Sequence, residues 1–283
     1  MTRSLCKMIK TMSLFLVVLI VSIYGAQAQG KVYSFGVVPQ FEARKLAAIW
    51  VPILNELEKR TGYKISMEGS PRILEFEASF QRGDFDFAYM NPYHALIAME
   101  GQGYAPLVRD GSRQLYGVLV VREDSPITDV KQLQGQSIAF PSPNALGASL
   151  LMRAELTRDF ELDFKSIYSQ THTSSYLNAV LGKTAAAGGV MSSLKKQKEA
   201  IQKSLRVLHE TKKMAPHPIV AHPRVPAEVS VKVKQALLEM GQDETSKKML
   251  SQVPMHRPIE ADPEDYQKFK DWGLQEFYVE TAQ

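Results

Sequence analysis

The chain has 283 residues, 45% of them hydrophobic, 23% charged and 9% aromatic, with a formal net charge of +4. That composition excludes a disordered tail, a collagen-like fibre and a coiled coil, and it suits a globular protein with a substantial core. The length allows one large domain or two lobes of roughly 100–150 residues each.

The first feature in chain order is a targeting pattern. Arg3, Lys7 and Lys10 precede an apolar run over residues 12–21, and Ala26-Gln27-Ala28 follows with small residues spaced for signal peptidase. The run is shorter than the ~20 residues a membrane span needs. Residues 1–28 are therefore expected to be a cleaved signal peptide. Its removal takes three positive charges from the +4 total and no negative ones, leaving a mature chain near +1. A nucleic-acid binder driven by charge is thereby excluded. Cys6, the single cysteine, lies in this segment and ahead of the apolar run. No disulfide, thiol nucleophile, cysteine-held metal or lipid anchor is expected in the mature protein. Export without cysteine fits a bacterial periplasm.

After Gly30, short apolar strands alternate with amphipathic helices. Residues 32–38 read as a buried strand. Leu46, Trp50, Ile53, Leu54 and Leu57 recur at helical spacing up to Gly62, and Pro52 predicts a kink. A strand over 63–67 and a turn at Gly69-Ser70-Pro71 follow. The next helix carries Ile73, Phe76, Ala78 and Phe80 and closes near Gly83. Residues 85–89 return to strand and run into Asn91-Pro92-Tyr93-His94. This βαβαβ series predicts an α/β fold with a largely parallel sheet.

Residues 116–122 form the most continuous β run, where a second lobe would begin. The same grammar then repeats. It predicts a short helix at 129–133, a strand at 136–140, a loop over 141–144, a helix over 146–156 and a strand at 164–168. A helix at 176–181 and strands at 185–190 and 206–209 follow. Lys195, Lys196 and Lys198 read as a solvated face. His217 and His222 fall in a proline-containing crossing and read as surface or hinge positions. Only helices are expected beyond it, at 227–240, 244–251 and 263–272. The predicted organisation is a first lobe over 29–115, a second over 116–213 and a return to the first over 214–283. Two lobes with two crossings make a hinge.

In open α/β sheets, ligands lie beyond the carboxyl ends of strands, where helix N-termini favour anions. The candidates in those loops are Gln40 after the first strand, Ser70 and Arg72 after the second, and Asn91 and Tyr93 after the third. Ser142 and Asn144 follow the strand at 136–140, and His172, Thr173, Ser174 and Ser175 precede the next helix. Each short side chain could equally cap its own helix, Ser174 or Ser175 among them. Tyr93 is placed in the cleft, while His94 could line it or pack beneath. No H-E-x-x-H, G-x-S-x-G, P-loop or dinucleotide pattern occurs. No catalytic residue, metal or cofactor is expected.

The stretch Gly83-Asp84-Phe85-Asp86-Phe87-Ala88-Tyr89-Met90-Asn91-Pro92-Tyr93 resembles a signature of the periplasmic phosphonate-binding family of ABC-importer solute receptors. Phe35-Gly36-Val37-Val38-Pro39, the run from Tyr116 to Val121, the run from Leu133 to Phe140 and His172 followed by the run from Leu177 to Lys183 are similar to it too. The resemblance covers roughly residues 31–240. It implies a type II periplasmic binding protein with two α/β lobes, a two-strand hinge and a cleft that closes over a ligand. The implied role is capture of a small anion, of phosphonate or phosphate type or related, by a monomer that hands it to an ABC permease. The departures are specific. Ala145, Leu146 and Gly147 stand where the family has hydroxyls, Ala185 and Gly188 or Gly189 where it has acids, and Pro71-Arg72 where it commonly has a tyrosine. Missing acids remove the reason to expect a cationic tail on the ligand, and Arg72 could serve as an anion fork. The alternative is a free-standing periplasmic sensor that partners a membrane histidine kinase; a fused sensor is not expected, since no span follows Trp272. A third reading is an envelope interaction protein with a vestigial cleft. The leading reading requires a gap ringed by amide and hydroxyl donors and not filled by apolar side chains.

Overall fold

The computed structural model describes residues 30–280. The expected signal peptide at 1–28 lies outside the described residues. The described residues from Tyr33 onward form one compact unit, whose first strand begins one residue earlier, at Val32.

Ten helices alternate with strands along the described chain: α1 (Ala43–Thr61), α2 (Ile73–Arg82), α3 (Pro92–Gln102), α4 (Leu151–Arg158), α5 (His172–Val180), α6 (Met191–Leu194), α7 (Glu199–Lys203), α8 (Ala227–Met240), α9 (Glu244–Leu250) and α10 (Glu264–Gln267). The first sheet contains β1 (Val32–Val37), β2 (Lys64–Gly69), β3 (Phe87–Tyr89), β4 (Ala105–Asp110), β10 (Ile219–Ala221) and β11 (Pro258–Glu260). Its six strands run in the order β11-β4-β10-β3-β1-β2. The second sheet has five, β5 (Gly117–Arg122), β6 (Ser137–Phe140), β7 (Lys165–Tyr168), β8 (Ala186–Val190) and β9 (Leu205–Glu210), in the order β7-β6-β8-β5-β9.

Sequence periodicity accounts for the helices. α1 buries Leu46, Trp50, Ile53, Leu54 and Leu57, and it stops where Gly62 turns left-handed at φ 76° and donates its N–H to Glu58 O. Pro52 does not end the helix. It lies on the exposed side, as does Ala48 four residues earlier, so the carbonyl that loses its partner is on the side facing water.

The sheets are less parallel than the sequence predicts. β1 pairs with β3, and β6 with β7 and β8, in parallel. β10 runs antiparallel to both β3 and β4, and β5 antiparallel to β8 and β9. A strand that enters a sheet from the other lobe arrives from the opposite end, so each crossing reverses a strand. The tail is not purely helical either. β11 adds to the outer edge of β4, with Pro258 at its first position, where a missing N–H is tolerated. The helix expected over 146–156 begins as a π-helical turn, Leu146–Leu150, before α4. The N–H groups of Ser149 and Leu150 both reach Ala145 O, at 2.7 and 3.1 Å.

The chain passes between the sheets twice, from β4 to β5 and from β9 to β10. Leu115 and Met214, one on each crossing, pair as an antiparallel bridge with N–H···O distances of 2.9 Å both ways. Apolar packing joins the lobes as well. The largest cluster fills the first lobe and continues into Ala145, Leu146, Leu150, Leu151 and Val190 of the second. Among the described residues no helix is long and apolar enough to cross a membrane.

Candidate functional site

The carboxyl ends of β1, β3 and β6 deliver Gln40, Asn91 and the 141–147 segment to one seam between the lobes. A cavity of about 20 Å³ remains there, lined by Gln40, Asn91, His172 and His217 on its polar side and by Ile73 and Leu146 among its apolar residues. That volume accommodates a single water. The expected open gap is closed in this structure. Ala145 and Leu146, which the sequence resemblance sets against hydroxyls of the family, are buried in the apolar cluster that joins the lobes.

Most polar groups at the seam have a protein partner; Ser142 Oγ and His94 Nδ1 have none among the described residues. Asn91 caps α3, its Oδ1 accepting from the N–H of Tyr93 and of His94 at 2.9 Å each. Its Nδ2 donates to Asn144 O of the other lobe at 3.2 Å. The Asn144 amide donates to Glu77 Oε2 at 2.8 Å and Val279 O at 2.7 Å, and accepts from Val279 N at 2.9 Å. Glu77 is fully buried, and its second oxygen lies 2.9 Å from His94 Nε2. His94 therefore packs beneath the seam.

Gln40 Nε2 lies 3.0 Å from His217 Nε2, and the His217 ring stacks on Tyr89 with centroids 5.3 Å apart. His217 is buried at the lobe contact and is not a surface residue. Burial, reinforced by His94, His172 and Arg113, pulls its pKa down to about 3. Burial likewise lowers His172 to about 4, and its Nδ1 lies 3.0 Å from Ser193 Oγ. Both rings are neutral at neutral pH, so the seam offers an anion hydrogen bonds but no formal charge.

The other predicted residues lie around this centre. Ser142 is buried, and its Oγ has no partner among the described residues. Thr171 caps α5 by accepting from Ser174 N at 3.1 Å, while Ser175 Oγ meets Thr171 O and Ser169 Oγ. Thr173 is half-buried on the same first turn. Tyr93 is buried against the Tyr278 ring, 5.7 Å away. Ser70 is half-buried in the turn after β2, and the Arg72 guanidinium, 58% exposed, pairs with Glu75. Gln40, Asn91, Asn144 and His172 are thus brought together, and Arg72 is turned to solvent.

Sequence reading gave His217 only a surface or hinge position and passed over Glu77. The signal for His217 was the extended Pro216-His217-Pro218 run, which carries the second crossing past the strand ends. Glu77 left none, being one acid on an amphipathic helix. Lys195 and Lys198 are exposed as expected, but Lys196 is half-buried and donates to Gln252 O of the first lobe. Burial, with Arg113 and Lys45 adding repulsion, pushes its pKa down to about 8.

Gly188 and Gly189, one of which the resemblance sets against the family's second acid, leave no room for a side chain. A Cβ on Gly189 would sit 1.9 Å from Tyr176 Oη, and one on Gly188 would sit 2.2 Å from Ala148 O. The protein's own groups fill the space an acid would need. Gly189→Ala is expected to lower stability by about 2–3 kcal/mol through overpacking, read as a reduced urea midpoint; an unchanged midpoint would refute this account.

The comparisons with known proteins agree with this architecture. The family described as the periplasmic substrate-binding protein of the phosphonate ABC transporter matches residues 35–266. The phosphonates-binding periplasmic protein of Escherichia coli K12 is 30% identical over 112 residues, 38% of this chain and 33% of that protein. The match thus spans about a third of that relative. A binding-protein component of an ABC phosphonate transporter from Pseudomonas aeruginosa superposes with a TM-score of 0.80 at 15% identity, covering 88% of each chain. PhnD1 from Prochlorococcus marinus, solved with methylphosphonate, gives 0.77 at 17% identity, covering 86% of this chain and 97% of that one. The lobes, the double crossing and the family match over most of the sequence lead to one conclusion: the chain belongs to the phosphonate-binding family of ABC-transporter periplasmic substrate-binding proteins.

Proposed function

We propose that this protein is a periplasmic solute receptor that captures a small anion of phosphonate or phosphate type between its lobes and delivers it to an ABC permease. The observation that carries the reading is the convergence of Gln40, Asn91 and His172 with the crossing residue His217 on one interlobe seam, in a chain of this family. Residues 1–28 would direct export and be removed, and the mature protein would act as a monomer without a covalent step. The gap this reading requires is closed here by Ala145 and Leu146, so the ligand must replace contacts that the closed lobes otherwise make with each other. Asn91 to Asn144 and Lys196 to Gln252 are two of them. Ligand contacts to both lobes then favour the closed form that the permease recognises.

A thermal-shift screen with phosphate, phosphite, phosphonates, sulfonates and carboxylates tests this. At one hundred times Kd a ligand adds about 2.7 kcal/mol to stability, a rise of roughly 5–10 °C in a protein of this size. Gln40→Ala should weaken the best anion. If none of the anions moves the melting temperature, the reading fails.

A further inference from the structure

A second interlobe space, of about 270 Å³, lies beside the two crossings. The first crossing contributes Arg113 and Tyr116, the second Lys213, the second lobe Ser192 and Lys195, and the first lobe Met255. Arg113, Lys195 and Lys213 face it against the single carboxylate of Asp110, an excess of two positive charges. Asp110 is itself well supplied with donors: Ser112 Oγ at 2.9 Å, Arg257 N at 2.9 Å and Arg113 Nε at 3.1 Å. That single bond leaves Arg113 only partly satisfied. Its Nη2 is buried and has no acceptor among the described residues. A buried guanidinium nitrogen without an acceptor is costly and calls for an ion or water.

The surroundings carry the same sign. Lys213 lies over the Tyr116 ring at 5.4 Å. Burial first, and then Arg113, hold the His256 ring and the Lys196 ammonium below their ordinary ranges. Val253, Pro254 and Met255 add an apolar wall. By contrast, no lysine, arginine or carboxylate lines the small strand-end cavity.

We propose that this hinge pocket is a separate anion site, taking a phosphoryl-type dianion with a small apolar substituent, with Arg113 as its fork and Lys195 and Lys213 as flanking charges. An excess of two positive charges suits a dianion, and the planar guanidinium can offer it paired donors. The apolar wall accommodates the substituent. Because both crossings supply side chains, an occupied pocket ties the hinge strands to both lobes. The pocket shares Leu115 and His217 with the strand-end cavity, but its charged groups, Arg113, Lys195 and Lys213, line this pocket and not that one.

Titration calorimetry of the exported chain with phenyl phosphate tests the site. The probe is expected to bind, more weakly as salt rises. R113Q should lower its affinity by at least about tenfold, the loss of one charge-assisted hydrogen bond. The K195Q/K213Q variant alters only exposed lysines; it should weaken binding and flatten the salt dependence. Absence of binding to the unaltered protein at millimolar phenyl phosphate would overturn the site. So would binding that both variants leave unchanged, a result that would place the anion elsewhere and leave the receptor reading standing.

Discussion

Replacing Asn144 by leucine is expected to lower the unfolding free energy by about 2–4 kcal/mol, although the two side chains are similar in volume. The amide is buried and serves three partners, Glu77 Oε2, Val279 O and Val279 N, at 2.7–2.9 Å. Leucine offers none of these bonds, so the fully buried Glu77 keeps only its contact with His94. An acceptor stranded without its donor costs more than the bond contributed, because water cannot reach it. The loss also reaches the lobe contact. Val279 belongs to the C-terminal segment, which is held further by Arg153 to Phe277 O at 2.6 Å and Arg158 to Gly273 O at 2.6 Å. A denaturant titration reads the effect; a change below about 1 kcal/mol, the scale of one ordinary hydrogen bond, would show that the network is not supporting the seam.

Acidification from pH 7.5 to pH 5 is expected to destabilise the protein well before its carboxylates are neutralised. The unfolded chain's histidines take up protons near pH 6.5, whereas burial holds His172 to about 4 and His217 to about 3 in the native state. Between those values the unfolded state binds more protons, so stability rises with pH across the window and is fully present above about 6.5. It is lost as pH falls towards the native values. At pH 5 each ring contributes a loss of roughly 2 kcal/mol. The two share one seam, so the sum is an upper bound. A melting temperature that falls between pH 7.5 and 5, with a flatter profile in His172→Gln, checks this. A flat profile in the unaltered protein would mean that these rings are accessible to protons.

Part of the site was legible because it depends on local rules. Asn91 before Pro92 reads as a helix start, and Asn91 is the cap. Gly62 and Gly83 read as helix ends, and both adopt left-handed φ of 76°. Other parts had no local signature. Arg72 and Arg113 look alike in sequence, each following a turn. One faces water beside Glu75, and the other reaches an interlobe pocket because the crossing carries it between the lobes. Lys196 and Lys195 are neighbours with opposite surroundings for the same reason.

The amino-acid order alone determined the alternation of strands and helices, the two lobes implied by its family resemblance, and the positions of the loops that follow the strands. Periodicity and turn chemistry act over a few residues, so they can be read along one dimension. The tertiary structure alone decided which sheet edges the returning strands join, that Leu146 and Tyr176 occupy space a ligand or an acid would need, and that positive charge collects at the hinge. Those outcomes depend on which distant segments share a volume, and no short window of sequence records that.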